Sequence, residues 1–165
     1  MILRVAKTSL VFAIALYFTL IVFNNLSDYD SNYQFVRHVL MMDSTFPGNR
    51  GMWRALNPPA WHVAFYWAII VWEFAATLLC WWGGLRLAKS LKKEPREFRE
   101  AKDVAITGLT VGLSLWLVAF LIFGGEWFLM WQSRAWNGQE SAFRMFATVG
   151  IVLLFLAQPE AGDRL

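Results

Sequence analysis

The stretch that decides the fold is AWHVAFYWAIIVWEFAATLLCWW, Ala60 to Trp82, which holds one acid, Glu73, and no Lys or Arg. As a helix it would be about 35 Å long, enough to cross about 30 Å of hydrocarbon. Pro58-Pro59 opens it. Proline suits the first turn of a helix, because the N–H it lacks would be unpaired there anyway. Gly83-Gly84 reads as its end. Backbone groups in lipid must pair within their own segment or around a closed barrel. A continuous apolar run favours the helix, since barrel strands alternate polar and apolar.

Three further runs have the same character. They span roughly Val5 to Asn24, Val104 to Phe123 and Glu140 to Leu156, with Pro159 as the final stop. The run from Val104 to Phe123 has room to continue past Gly124-Gly125 to Trp131. The expectation is a single all-α membrane domain over 1–165: a polytopic bundle of four transmembrane helices at 5–24, 60–82, 104–123 and 140–156. Composition agrees. Charged residues are 16%, against about 25% in soluble chains. Ten Trp residues suit the aromatic belts of membrane interfaces. Arg4 and Lys7 before an apolar run imitate a signal peptide, but no small-residue cleavage site follows, so the segment reads as a retained span. Cys80 stands alone, so it makes no internal disulfide and reads as apolar filler.

Orientation is read from Lys and Arg placement. Arg86, Lys89, Lys92, Lys93, Arg96, Arg99 and Lys102 crowd segment 83–103, and Arg4 and Lys7 precede the first span. This places the basic loop and both termini in the cytoplasm, and accounts for the net charge of +3 without any nucleic-acid partner. Acids three or four residues from these cations suit a solvated helix with internal ion pairs. The segment 25–59 is then a long outer loop. Within it Phe35, Val36, Val39, Leu40 and Met42 share one helical face, with Ser31 or Asn32 as a cap. Such a short amphipathic helix either lies on the interface or covers the tops of the spans.

Few residues suggest chemistry. Glu73 lies mid-span, where an acid costs at least a few kcal/mol and therefore faces the interior with a partner. It is the intramembrane functional candidate, as a proton relay, ion site or substrate contact; the alternative is a structural bond. Its candidate partners are Arg144, Thr110, Ser114 and Thr19. Glu126 and Arg144 should lie near one outer interface and are candidates for a structural ion pair. His38 and His62 are the only histidines; both fall near the outer face, as conceivable haem or metal ligands. The aromatic stretch Trp127 to Trp131, with Trp136 and Trp61, reads as a belt against which a quinone, a lipid or a partner subunit could pack. No triad, phosphate loop or dinucleotide fingerprint is present, so no reaction, metal or cofactor is assigned.

Asp28-Tyr29, Asn32, Phe35-Val36, His38-Val39-Leu40, Met42-Asp43 and Thr45-Phe46 form one motif. Gly124-Gly125-Glu126-Trp127-Phe128, Met130-Trp131-Gln132-Ser133 and Trp136-Asn137-Gly138-Gln139-Glu140 form another. Together they resemble a bacterial family of predicted small integral membrane proteins catalogued as a domain of unknown function. The resemblance covers nearly the whole chain. It implies an inner-membrane location and a four-span layout, and carries over no functional residue. The leading functional expectation is a non-enzymatic accessory subunit, packed against another membrane protein or a second copy. The alternatives are an oligomeric transporter or channel subunit using Glu73, and a haem- or quinone-associated respiratory subunit.

Overall fold

A computed structural model describes residues 1–160. Among these the regular structure is helical: α1 (Ile2–Ser27), α2 (Tyr29–Met41), α3 (Pro59–Ser90), α4 (Pro95–Leu115) and α5 (Gln139–Ala157). α4 runs without a break into a π-helical segment, Trp116–Trp127. Four helices are long and apolar enough to cross a membrane: α1, α3, α4 with its π extension, and α5. α3 packs on α1 and α4, and α5 closes the bundle against α4 and α1.

The bundle has two ends. One gathers the start of α1, the α3–α4 turn and the end of α5, and will be called the basic end. Here Arg4 donates to the carbonyls of Leu91 (3.2 Å) and Lys93 (2.7 Å). The other, the cap end, gathers the end of α1, α2, the start of α3 and the α4–α5 connection. Both termini of the described chain therefore share one end, as an even number of spans requires.

The basic half is closely packed. Val11, Ile14, Ala15 and Phe18 of α1 meet Ala76, Cys80 and Leu87 of α3, Ala101, Ala105 and Leu109 of α4, and Val149 and Val152 of α5. Small residues let the backbones approach, the usual device where lipid removes the hydrophobic drive between helices. A Cβ on Gly83 would lie 2.5 Å from the Ala105 Cα, and one on Gly108 would lie 2.8 Å from the Cys80 backbone nitrogen. The ring of Phe12 lies on Gly84.

This overturns the reading of Gly83-Gly84 as a helix end. α3 continues to Ser90 and α4 already starts at Pro95, so most of 83–103 is helix and the connection is short. The glycines serve contact between helices, which a local turn signal does not distinguish. Lys93–Glu97 and Arg96–Glu100 form the expected i,i+4 pairs, both at 2.9 Å.

Two cations taken as topology markers are buried instead. Lys7 Nζ and Lys102 Nζ both donate to Glu160 Oε1, at 2.7 and 2.6 Å. Both also donate to the Gln158 carbonyl, at 2.7 and 2.9 Å. Arg4 Nε stands 3.7 Å from Glu160 Oε2. Burial alone would raise the Glu160 carboxyl, but hydrogen bonds from Lys102 and Lys7 hold it below its ordinary value. This clamp pins the segment after α5 under α1 and α4.

The cap end has its own small core: Val36, Val39, Leu40 and Met42 against Tyr66, Ile70, Phe128 and Met130. α2 is therefore a cover helix, with its apolar face turned down onto α3. It follows α1 directly at Asp28, whose φ of −114° and ψ of 56° turn the chain. Neither Ser31 nor Asn32 caps it, because the helix begins earlier, at Tyr29. Ser44 bonds Ser133 at 2.8 Å, and the Phe46 N–H donates to Gln132 Oε1 at 3.1 Å. The two outer connections thus form one lid.

Candidate functional site

Glu73 sits on the inward face of α3, flanked one turn either way by Ile70 and Ala76–Thr77, all buried. It is 1% exposed. Its partner comes from the end of α1: Asn25 Nδ2 donates to Glu73 Oε2 at 2.6 Å. The Asn25 backbone carbonyl in turn accepts from the Tyr66 hydroxyl at 2.8 Å. Two side chains of α3 thus converge on one asparagine of α1. None of the partners expected from sequence serves. Thr19 accepts from the Trp81 indole at 2.9 Å, and Arg144 donates to Ser141 at 3.1 Å.

Glu73 Oε1 has no hydrogen-bond partner among the described residues. Glu73 lines a cavity of about 270 Å³ between α1, α2, α3 and the π segment, whose wall also includes Asn24, Asn25, Asn32, Tyr66 and Trp116. Trp116 is 8% exposed, and its indole N–H is buried without a partner. The Glu73 carboxyl thus has an unused acceptor, while the Trp116 N–H is shut away from any water-sized space. Leaving a buried polar group without a hydrogen bond costs about 1–3 kcal/mol.

The π segment helps to create this space. Phe128 N–H closes onto the Phe123 carbonyl, five residues back, at 2.8 Å. Wider π turns inside α-helices occur often at functional sites. α3 follows α4 closely but not the π segment, and the two part toward the cap end. A second, apolar cavity of about 230 Å³ fills the gap, walled by α2, α3 and the π segment.

The other sequence candidates lie apart from this site. His38 Nδ1 is 2.7 Å from Asp43 Oδ2, and its ring stacks on Trp136 at 4.5 Å. His62 is buried, with Nε2 donating to the Leu56 carbonyl at 2.6 Å and Nδ1 unpartnered. Each is committed locally, and neither lines the Glu73 cavity. No group of three or more His, Cys, Asp or Glu is placed to hold a metal among the described residues. Glu126 and Arg144 form no ion pair there: both are exposed, and Arg54 donates to the Glu126 backbone carbonyl at 3.5 Å. Nearness in depth does not bring two helix faces together.

Four apolar spans, a lid of two connections and a carboxyl bonded inside the bundle define a polytopic helical membrane protein. The chain belongs to the family described as predicted small integral membrane protein (DUF2165), whose model matches residues 3–159. No curated protein and no solved structure matches it.

Proposed function

We propose that this is a non-catalytic membrane protein that acts by binding, with the Glu73 cavity as its binding site. The observation that carries this is a buried carboxyl lining a cavity, with Asn25 on Glu73 Oε2 and no partner on Oε1. A bundle does not need a carboxyl there for its stability, and an apolar residue of the same shape would serve packing better. An occupant with polar and apolar parts would satisfy the carboxyl and fill the space beside it. The test is native mass spectrometry of the protein taken gently from its own membranes. Wild type should carry a bound small molecule, and Glu73→Leu should lose it. Identical bound species on both would refute the reading.

A second reading has its own observation: exposed aromatics form a ridge on the lid. Trp53 meets Trp127 edge to face at 5.8 Å, and Arg54 lies 5.9 and 5.7 Å from their ring centres. This ridge supports an accessory role, docked on another membrane protein or a second copy. The mass of the intact extracted complex tests it, since a monomer alone would count against docking. In both readings the basic end faces the cytoplasm of a bacterial inner membrane, supported by the cations of the α3–α4 turn. Labelling of a cysteine placed at Lys92, from one side of the membrane, checks this.

A further inference from the structure

The polar wall of the Glu73 cavity has its donors turned onto the protein itself. Asn25 Nδ2 donates to Glu73 Oε2 at 2.6 Å, the Tyr66 hydroxyl to the Asn25 carbonyl at 2.8 Å, and Asn32 Nδ2 to the Asp28 carbonyl at 2.9 Å. The Trp116 N–H is closed off. Asn24, the remaining polar residue of the wall, is exposed. Glu73 Oε1 has no partner and, unlike the indole nitrogen, is not closed to water-sized space. What the cavity offers an occupant is therefore an acceptor, and an ionised carboxylate only accepts.

Charge narrows the choice. No Lys, Arg or His lines the cavity, so no wall residue offsets a carboxylate, as a buried charge requires. A phosphate or carboxylate head would add a second anion. An alcohol or amide donates a hydrogen bond but leaves the charge uncompensated. Ca²⁺ and Mg²⁺ take about six or more oxygen ligands, and no group of three His, Cys, Asp or Glu is placed to hold a metal among the described residues. An ammonium brings the countercharge together with N–H donors.

The rest of the wall says what the ammonium is attached to. Ile21, Phe35, Val36, Ile69 and Phe120 are apolar, the usual lining of a site for an organic molecule held by few polar groups. The rings of Phe35 and Phe120 stack at 6.3 Å, and aromatic faces attract cations. The volume, about 270 Å³, exceeds the roughly 150 Å³ of an engineered apolar cavity that holds benzene.

Resting on the binding reading above, we infer that the occupant is a lipophilic amine in its ammonium form. Its N–H donates to Glu73 Oε1, and its apolar body lies against Phe35, Ile69 and Phe120. Asn25 holds the other carboxyl oxygen and so fixes the direction of the acceptor. Nothing is transferred or oxidised; the site recognises and retains.

The experiment uses the full chain in lipid nanodiscs with three probes of one phenylbutyl skeleton: 4-phenylbutylamine, 4-phenylbutan-1-ol and 5-phenylpentanoate. Binding is read by titration calorimetry against empty nanodiscs. The amine should bind about 10-fold more tightly than the alcohol, the gain expected when a hydrogen bond between neutral groups becomes one between charged groups. The carboxylate should not bind. Glu73→Gln keeps the shape and removes the charge, and should bring the amine down to the level of the alcohol. Should that variant fail to fold, the order of the three probes on wild type stands without it. An alcohol or carboxylate that binds as tightly as the amine would overturn the inference, as would an amine affinity unchanged in Glu73→Gln or no binding of any probe. Alcohol binding that is tightest and lost in Glu73→Leu would overturn the ligand class and leave the binding site in place. No probe binding, with unchanged native occupants in Glu73→Leu, would remove both.

Discussion

The two halves of the bundle solve the same problem in opposite ways. At the basic end the helices meet through Gly83, Gly108 and Ala105, and every buried charge is paired: Lys7 and Lys102 converge on Glu160. At the cap end α3 and the π segment part, α2 is laid into the gap, and Glu73 Oε1 and the Trp116 N–H are left without partners among the described residues. Close packing with satisfied charges gives stability. Open packing with unsatisfied groups costs stability, a cost that the proposed binding role would account for. Substitutions should therefore behave differently according to the half in which they fall.

The largest effect should come from the clamp. Glu160→Gln strands two buried ammonium groups, and breaking a buried pair from one side costs about 3–5 kcal/mol. Thermal unfolding in detergent should show a large fall in Tm. Lys7→Met should recover part of it in the Glu160→Gln background, because the stranded charge is then gone.

Gly108→Leu should rank next. Its side chain would drive into the α3 backbone at Leu79 and Cys80, and overpacking costs about 1–3 kcal/mol. Gly48→Ala, in the outer loop with nothing near its missing Cβ but φ at +77°, should cost less, about 1 kcal/mol. If the two fell equally, close packing at the basic end would not be the source of stability.

Acid should loosen the clamp of the basic half. The Glu160 carboxyl is held below its ordinary value of 4.5. A depressed carboxyl contributes stability that is fully present above its unfolded value and lost as pH falls through the folded one. The clamp's contribution to Tm should therefore hold from neutral pH to about 5 and be lost below about 4.5. Glu160→Gln should flatten that drop, with the melting curve against pH as the check.

Much of this contrast was legible in the sequence, and the gaps have physical causes. The four spans could be read because about 20 consecutive apolar residues have few other uses. The cover helix could be read from the spacing of Val36, Val39 and Leu40, though not which surface it covers. Glu73 stood out because a charge in an apolar run is costly. Its partner did not, since Asn25 lies 48 residues away and no local pattern links them. Lys7 and Lys102 have the composition of topology markers, and only the fold brings Glu160 between them. Trp116 was one of ten Trp residues, and an orphan N–H is a property of surroundings. The π segment left no signal, because Trp116 to Phe123 reads as an ordinary apolar helix.

The most direct test of the central claim sets one substitution in each half side by side. Trp116→Phe keeps the ring and removes the unpartnered N–H, while Glu160→Gln keeps the shape and removes the shared countercharge. Melted in the same detergent without added ligand, Trp116→Phe should match or exceed wild type, and Glu160→Gln should fall by several degrees. A large loss of Tm in Trp116→Phe would contradict the account, because that N–H would then be part of what holds the fold together.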